Sequence, residues 1–223
     1  MDRFASVYTC WTRQMWYTLC NRAVEVSHMR VVAGELGGRP LAGVPGRGTR
    51  PTADRVKEAM FSILGGSLDG GWALDAFAGT GALGIEALSR GAERAVFIEK
   101  SPAALRVLRG NLKRLGLDAR CRVLPMDVRV ALHRLNALLP AAGVSGQAIA
   151  FRWVFFDPPY KMAGAVDLLG ELDRLGLVET GAVAVVETSA QTAVPDKIGM
   201  WHHWKRSTYG DTALTFYRKE STE

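Results

Sequence analysis

The chain has 223 residues, a net charge of +6 and apolar side chains at 48% of its positions, which suits one large domain with a sizeable core. No apolar run is long enough to span a bilayer, and the three cysteines form no CxxC pair, which excludes a membrane span and argues against a disulfide framework or a zinc site. We therefore expect a cytoplasmic monomer without a metal ion, and the basic balance favours a nucleic acid as its partner.

The beginning of the chain divides into two segments. Residues 1–28 show no clear hydrophobic period, and Met29 resembles a natural start, so we expect an extraneous or poorly ordered extension. Residues 29–50 alternate short apolar pieces with Gly and Arg, which predicts a small β-hairpin arm. Positions 30–58 hold six cations against three acids, a balance that suits contact with a phosphate backbone, although a solvated loop is the alternative. The predicted RNA-binding residues are Arg30, Arg39, Arg47, Arg50 and Arg55.

Residues 51–219 carry the pattern of one α/β domain. A first helix, with Thr52 as its cap, is predicted to end at Gly65-Gly66. Strand candidates follow at Trp72–Phe77, Arg94–Glu99, Cys121–Pro125, Trp153–Asp157, Ala182–Thr188, Trp201–Ser207 and Thr212–Tyr217. Helix patterns separate the earlier ones, at Ala82–Arg90, Pro102–Leu115, Val128–Leu138 and Gly164–Leu175. This alternation predicts a seven-stranded, mostly parallel sheet with an antiparallel C-terminal hairpin.

A glycine-rich loop joins the first strand to its helix. Gly79-x-Gly81-x-x-Gly84 matches the dinucleotide fingerprint, and Glu99 follows at about the right distance. The glycines let the backbone approach a ligand, and Glu99 ends the second strand, where a carboxylate can accept both ribose hydroxyls. Asp127 comes just after the third strand and can reach an adenine amino group. The loop therefore predicts a nucleoside site.

Four acids recur at the predicted strand ends. Asp75, Glu99, Asp127 and Asp157 are separated by 24, 28 and 30 residues, and each gap is about one βα unit. We expect all four at the same edge of the sheet, although any single one of them can instead be a helix cap.

Asp157-Pro158-Pro159-Tyr160 follows the apolar run Trp153–Phe156. The prolines must end the strand, so an acid, a carbonyl-rich turn and a ring lie at its carboxyl end, where open α/β sheets bind ligands. A carboxylate and a carbonyl accept hydrogen bonds from an amino group, and a ring stacks on a planar base. The motif predicts modification of an NH₂ group. The alternatives are a helix cap for Asp157 and an aromatic plug under the sheet for Tyr160.

The glycine loop alone does not separate a nicotinamide cofactor from S-adenosylmethionine. Two features favour the latter. Asp75 precedes the glycines, where an acid suits the ammonium of a methionine but repels a pyrophosphate. A dehydrogenase also has no need of the motif at Asp157–Tyr160.

These motifs resemble those of a known family. Asp75–Gly81 resembles motif I of class I S-adenosylmethionine-dependent methyltransferases, and Asp157–Tyr160 resembles the (D/N)PP(Y/F) motif of amino methyltransferases. Thr49–Glu58, Arg39-Pro40-Leu41 and Gly84–Arg90 are similar to the bacterial 16S rRNA guanine-N2 methyltransferases that modify guanine 966. The similarity runs from about Arg30 to Tyr217 and does not cover residues 1–28. It implies a Rossmann-like class I fold, S-adenosylmethionine, and 16S rRNA or the assembling small ribosomal subunit as the partner.

The resemblance also implies roles for individual residues. It assigns the methionine end of S-adenosylmethionine to Asp75 and Gly79, the ribose to Glu99, and the adenine to Met126 and Asp127. Phe77 and Gly81 complete the predicted cofactor-binding set. The target guanine would lie against Asp157, the Pro158 carbonyl and Tyr160.

Other acceptors and classes stay open at this stage. A DNA adenine or a protein glutamine amide would use the same Asp-Pro-Pro-Tyr chemistry, but the basic arm favours RNA. A nicotinamide-dependent oxidoreductase and a catalytically silent RNA-binding module are further alternatives. The intact set of acids at both sites argues against the silent module.

Overall fold

A mixed eight-stranded sheet is the centre of the part of the chain that the computed structural model describes, which is residues 29–44, 51–138, 149–159, 164 and 166–220. The predictions for residues 1–28, Arg47, Arg50 and Tyr160 lie outside these ranges. The strands are β1 (Trp72–Asp75), β2 (Arg94–Ile98), β3 (Cys121–Leu124), β4 (Phe151–Phe156), β5 (Val178–Ser189), β6 (Lys197–Ile198), β7 (Trp201–Tyr209) and β8 (Thr212–Lys219). Their order is β3-β2-β1-β4-β5-β8-β7-β6.

The sheet confirms the predicted fold class but not the predicted strand number. From β3 to β5 in this order, each strand pairs in parallel with its neighbour. The pairs β5–β8, β8–β7 and β7–β6 are antiparallel. The prediction of seven strands was wrong because it missed β6, which pairs with β7 at the edge. Two residues are too short a run to show the alternation by which a strand is recognised.

Five α-helices occur in the described ranges. They are α1 (Pro51–Ile63), α2 (Ala82–Ser89), α3 (Pro102–Leu115), α4 (Val128–Leu138) and α5 (Asp167–Arg174). The prediction that Thr52 caps the first helix was wrong, because α1 already begins at Pro51, a residue favoured in the first helical position. The helix ends as predicted: Gly65 and Gly66 take positive φ angles.

The core lies on both faces of the sheet. Successive strand residues point to opposite faces, so Trp153 and Phe155 of β4 belong to one buried cluster and Val154 and Phe156 to the other. The first cluster includes side chains of α1, α2 and α3, and the second includes side chains of α4 and α5. We call the first face the arm face, because residues 29–44 also pack there.

Residues 29–44, here called the arm, fold back on themselves as predicted, but a single bridge between Arg30 and Pro40 is their only strand pairing. The arm is held by polar side chains of α2. The carboxylate of Glu86 accepts hydrogen bonds from the amides of Val32 at 2.8 Å and Ala33 at 3.0 Å. Ser89 Oγ donates to the Ala33 carbonyl at 2.5 Å. The arm is therefore a docked element of the domain.

Buried charges complete this junction. Glu86 is fully buried, and its carboxylate lies 3.2 Å from Lys57 Nζ and 2.8 Å from Arg90 Nε. Lys57 also donates to the Arg30 carbonyl at 2.5 Å. Because a buried charge is costly unless it is paired and hydrogen-bonded, these contacts make the joint between the arm, α1 and α2 specific. None of the helices in the described ranges combines the length and the apolar character that crossing a membrane requires.

Candidate active site

A cavity of about 690 Å³ opens at the carboxyl edge of the parallel strands, on the arm face. Its floor is formed by the ends of β1, β4 and β5 and by the loop after β1. Met29 of the arm, residues of α1 and the turn between β7 and β8 form the remaining walls. The volume lies within the range of small-molecule sites, and the position is where open α/β sheets bind ligands.

The glycine loop after β1 is shaped by close packing. Gly79 and Gly81 have φ angles of 53° and 87°, which other residues rarely adopt. A Cβ atom on Gly84 would lie 2.3 Å from Phe97 Cε1, so only glycine lets α2 approach β2 this closely. The backbone of the loop is thereby brought to the floor of the cavity, as predicted.

Asp75 occupies the amino end of α2. Its Oδ2 accepts a hydrogen bond from Gly84 N at 2.9 Å, and the side chain is almost fully buried. A free helix amino terminus attracts anions, but this one already faces a carboxylate. The arrangement disfavours the pyrophosphate of a nicotinamide cofactor at this position, which agrees with the expectation from the sequence.

The charge of Asp75 is poorly compensated. Burial raises its pKa to about 7; the hydrogen bond from Gly84 opposes this shift, and the charges of Asp157 and Glu99 add to it. An added positive group would restore favourable interactions to the ionised carboxylate. The floor of the cavity therefore suits a cation.

Glu99 lies one residue beyond β2 and is held by two backbone amides. Its Oε2 accepts from Gly79 N at 2.8 Å and its Oε1 from Ser101 N at 2.7 Å. Each carboxylate oxygen can accept more than one hydrogen bond, so the group can still bind hydroxyls. The structure thus places a fixed acceptor beside the glycine loop. Glu99 is not among the described residues that line the cavity, so its contact with the ribose stays a prediction.

Asp127 serves as a helix cap, which was the alternative weighed for any single acid. Its Oδ1 accepts from Arg129 N at 3.1 Å in the first turn of α4, and its Oδ2 accepts from Lys100 Nζ at 3.0 Å. These hydrogen bonds lower the pKa of Asp127. Neither Asp127 nor Met126 is among the described residues that line the cavity, so their contact with adenine stays a prediction.

Asp157 follows β4 directly and lines the cavity. Its side chain is exposed to the cavity, but the surrounding walls limit its hydration and raise its pKa to about 6. The helix α5 begins only at Asp167, so Asp157 is not its cap. Pro158 is half-buried beside it. The structure therefore brings Asp75, Phe77, Gly79 and Asp157 together around one cavity.

Glu187 is a cavity residue that the sequence analysis missed. It lies near the end of β5, and burial, followed by the charge of Asp157, raises its pKa to about 7. Its signal was available: Glu187 follows Asp157 by 30 residues and continues the spacing of the other rim acids. The described residues nevertheless contain no group of three His, Cys, Asp or Glu side chains suited to hold a metal ion.

Lys57 and Met29 were also missed. Both line the cavity, Lys57 from α1 and Met29 from the arm. Lys57 is almost fully buried, and a lysine on a helix is usually read from sequence as a solvated residue. The cavity wall is thus built in part from the segments predicted to contact RNA.

The predicted RNA-binding arginines that the structure describes lie on the protein surface. Arg30 and Arg39 are exposed on the arm, and Arg55 is exposed on α1. Arg30 pairs with Pro40, the neighbour of Arg39, so the two arginines lie near each other beside the cavity wall that Met29 forms. Their contact with RNA stays a prediction.

The chain is similar to proteins from several bacteria. The family model described as Conserved hypothetical protein 95 matches residues 29–218. A Bacillus subtilis (strain 168) protein with the provisional name rRNA methyltransferase YlbH is 38% identical over 191 residues, which are 86% of this chain and 99% of that protein. Ribosomal RNA small subunit methyltransferase D of Escherichia coli (strain K12) is 30% identical over 193 residues, 86% of this chain and 91% of that protein.

A solved structure is similar over the same range. Escherichia coli yhhF, provisionally described as a methyltransferase, superposes with a TM-score of 0.71 at 28% identity, over 87% of this chain and 99% of that one. The family match begins at the arm and ends in β8, so it includes every part of the cavity wall described above.

Proposed function

We propose, from the premise that this chain belongs to the Conserved hypothetical protein 95 family, that it transfers a methyl group from S-adenosylmethionine to the exocyclic N2 of a guanine in 16S rRNA, of the type at position 966. The relatives named as rRNA methyltransferases support the reaction class and the rRNA substrate. The base and the atom are those that the family resemblance of the sequence implies, and the acceptors at Asp157 and Pro158 support an amino group as the target. The partner would be 16S rRNA or the assembling small ribosomal subunit.

One observation carries the proposal: a floor that favours a cation and a motif that accepts hydrogen bonds from an amino group belong to the same cavity. Asp75 lies in register with Phe155, and Asp157 follows Phe155 by two residues on the neighbouring strand. Because side chains alternate between faces, both carboxylates point to the arm face. A donor held at Asp75 and an acceptor held at Asp157 would therefore meet inside one enclosure.

The residues in the cavity and on the neighbouring strand ends are proposed to hold S-adenosylmethionine. Asp75 and the backbone at Gly79 would hold its methionine end, and Glu99 would accept the ribose hydroxyls. Phe77, Gly81, Met126 and Asp127 complete the proposed cofactor-binding set. The cofactor supplies an electrophilic methyl group on a positively charged sulfur, and the carboxylates of the floor favour that charge.

Asp157 and the Pro158 carbonyl would accept the two N2 hydrogens of the guanine. The N2 lone pair is delocalised into the ring, and these hydrogen bonds turn it toward the methyl carbon and stabilise the positive charge that develops on nitrogen. The proton that N2 loses as the new N–C bond forms passes to Asp157 or to water. Tyr160 would stack on the base, which has to leave its surroundings to enter the cavity.

Mass mapping of rRNA nucleosides tests this proposal. Deletion of the gene should remove one N2-methylguanosine from 16S rRNA, and a plasmid copy of the wild-type gene should restore it. An Asp157→Ala copy should not restore it, because loss of a transition-state acceptor costs about 10²–10³ in turnover. Unchanged N2-methylguanosine in the deletion strain would contradict the substrate assignment.

Binding measurements separate the two halves of the cavity. Purified Asp157→Ala should bind S-adenosylmethionine within about threefold of the wild-type affinity, because Asp75, the proposed partner of the cofactor's ammonium group, is unchanged and keeps its hydrogen bond from Gly84 N. Calorimetry gives this affinity directly. Methyl transfer at the wild-type rate in Asp157→Ala, or a loss of cofactor affinity as large as the loss of transfer, would refute the role given to Asp157.

A further inference from the structure

Asp157 and Glu187 are neighbours across two parallel strands. The last paired residues of β4 and β5 are Phe156 and Val186, and each acid is the next residue of its own chain segment. Neighbouring strands lie about 4.8 Å apart. The pair therefore stands side by side at the carboxyl edge of the sheet.

Both acids point into the cavity. Phe155 and Val185, two residues earlier on each strand, belong to the buried cluster of the arm face. Side chains two positions apart on a strand share a face, so Asp157 and Glu187 lie on the arm face as well. Both line the cavity. The structure thus offers two adjacent carboxylates to one ligand.

We propose that Glu187 determines base specificity by accepting a hydrogen bond from the N1–H of the target guanine, while Asp157 accepts from its N2 amino group. This inference rests on the proposed function and adds the group that selects the base. Guanine carries adjacent donors at N1 and N2. A glutamate is one methylene longer than an aspartate, so the two carboxylates reach different depths from neighbouring backbones.

The other amino-bearing acceptors fit this pair poorly. Adenine has an unprotonated ring nitrogen beside its amino group, and so does cytosine. A carboxylate opposite such a lone pair is repelled and left without a hydrogen bond, which is costly in a partly desolvated site. A glutamine amide has no second donor beside its NH₂ group. The Asp157 motif alone accepts hydrogen bonds from any amino group, and Glu187 would make the site selective for guanine.

The electrostatics of the pair agree with this role. Glu187 is half-buried, and the charge of Asp157 opposes its ionisation. Two N–H donors on one edge of a base would offset both the partial burial of Glu187 and the repulsion between the two acids, because each carboxylate would gain a hydrogen-bond donor. Lys57, the one Lys or Arg among the described residues of the cavity wall, is already engaged by Glu86 and the Arg30 carbonyl.

Replacing the base tests the inference. Small-subunit rRNA is ligated with either guanine or 2-aminopurine at the position that the wild-type enzyme methylates, and methyl transfer to each is measured by mass spectrometry. 2-Aminopurine keeps the amino group but has a lone pair at N1. Wild-type kcat/KM should favour guanine by about 10²-fold or more, because the site's acceptor is otherwise unpaired. A ratio near one would overturn the inference without any variant.

The variant Glu187→Gln should lower the ratio of kcat/KM for guanine over 2-aminopurine by about tenfold or more. A glutamine amide can turn its carbonyl toward a donor or its NH₂ toward a lone pair, so it accommodates both bases. Glu187→Asp keeps the charge and shortens the reach; it should slow transfer to guanine without improving 2-aminopurine. Equal losses on both bases would mean that Glu187 is only structural.

Glu179→Gln is the matched control. Glu179 lies on the same strand at its opposite end, away from the cavity, and its substitution should leave the base ratio unchanged. Melting temperature and S-adenosylmethionine affinity establish that each variant is folded. A wild-type enzyme that leaves guanine N2 unmethylated would overturn the proposed function itself. If guanine is methylated but Glu187→Gln leaves the ratio of kcat/KM for guanine over 2-aminopurine unchanged, only the contact between Glu187 and N1–H is overturned.

Discussion

Asp75 shows how a single residue can favour a ligand at the expense of the free protein. Its carboxylate is buried, and one backbone amide is its only hydrogen-bond donor among the described residues. Burial raises its pKa from the ordinary 3.8 to about 7, so the folded chain binds a proton that the unfolded chain releases. A positively charged ligand beside the carboxylate would oppose that shift, because it favours the ionised form.

A pH series of unfolding measurements tests this account. Between about pH 4 and pH 7 the folded state binds more protons at Asp75 than the unfolded state, so the free energy of unfolding should fall as pH rises through this window. Asp75→Asn, which keeps the size and an acceptor for Gly84 N, should remove about 2–4 kcal/mol of that fall. At pH 8 the variant should therefore melt at a higher temperature than the wild type.

The same variant should bind S-adenosylmethionine about 10- to 100-fold more weakly, because a hydrogen bond to a charged group contributes about 1.5–3 kcal/mol. Asp118→Asn, at an exposed acid outside the cavity, is the control for both measurements. Unchanged cofactor affinity in Asp75→Asn would exclude a contact between Asp75 and the ammonium group.

At the scale of elements, the arm depends on a close backbone approach at Gly34. Its φ angle is 84°, and a Cβ atom there would lie 1.9 Å from the carbonyl oxygen of Ser89. Gly38 has a similar φ angle of 81°, but a Cβ atom there would meet nothing within 4 Å. Substitutions at the two glycines can therefore be compared to separate the cost of backbone strain from the cost of losing the contact between the arm and α2.

Alanine at each position measures this difference. Both substitutions should cost about 1–2 kcal/mol for the left-handed backbone. Gly34→Ala should cost about 1–3 kcal/mol more, because the arm must move away from α2. Chemical denaturation gives the stabilities, and limited proteolysis of the arm shows whether it has detached. Equal effects of the two substitutions would mean that the arm is not held at Ser89.

Much of the sheet could be predicted because its parallel strands are apolar runs of ordinary length, separated by clear helix patterns. The rim acids followed from their spacing, and the family resemblance is confirmed. Glu187 was missed, although its spacing from Asp157 continues the series, because it lies inside the predicted strand Ala182–Thr188 and not after its end; the register with β4 is what places it beside Asp157. Register is a property of two strands and cannot be read from one.

The buried junction at Glu86 could not be predicted for a different reason. Its carboxylate is satisfied by α1, by α2 and by two amides of the arm, more than 50 residues away in sequence. Charged residues on a helix normally indicate a solvated face, and only the tertiary contacts reverse that expectation.

For the whole molecule, the fold distributes the exposed cations behind the net charge of +6 over different parts of the surface. The arm carries the exposed Arg30 and Arg39 and docks on α2, which packs against β1 and β2, and α1 carries the exposed Arg55 beside the cavity. The exposed Lys197 and Lys205 lie on β6 and β7, at the opposite edge. We expect RNA that presents a base to the cavity to contact the first group, which adjoins the wall formed by Met29 and α1.

Salt-dependent binding to 16S rRNA fragments tests this polarity. Replacing Arg30, Arg39 and Arg55 by Ala should weaken binding and lower the slope of log affinity against log salt by about 0.7–0.9 for each phosphate that an arginine had neutralised. A control with Lys197, Lys205 and the exposed Arg174 replaced by Ala removes the same charge. Equally weakened binding in the two triple variants would indicate that only the total charge matters.

The docked arm also sets a rule for protein engineering. Chimeras that exchange the arm between relatives would be a natural route to a new RNA target, but the anchoring groups of the arm lie in the helices: Glu86 and Ser89 in α2, and Lys57 in α1. Because the arm contributes backbone groups to these hydrogen bonds, a graft of residues 29–44 keeps them only where its backbone follows the same path, which the close approach at Gly34 requires. Recoding the exposed side chains at Arg30 and Arg39 keeps the anchors, so surface recoding is the more conservative route to altered recognition.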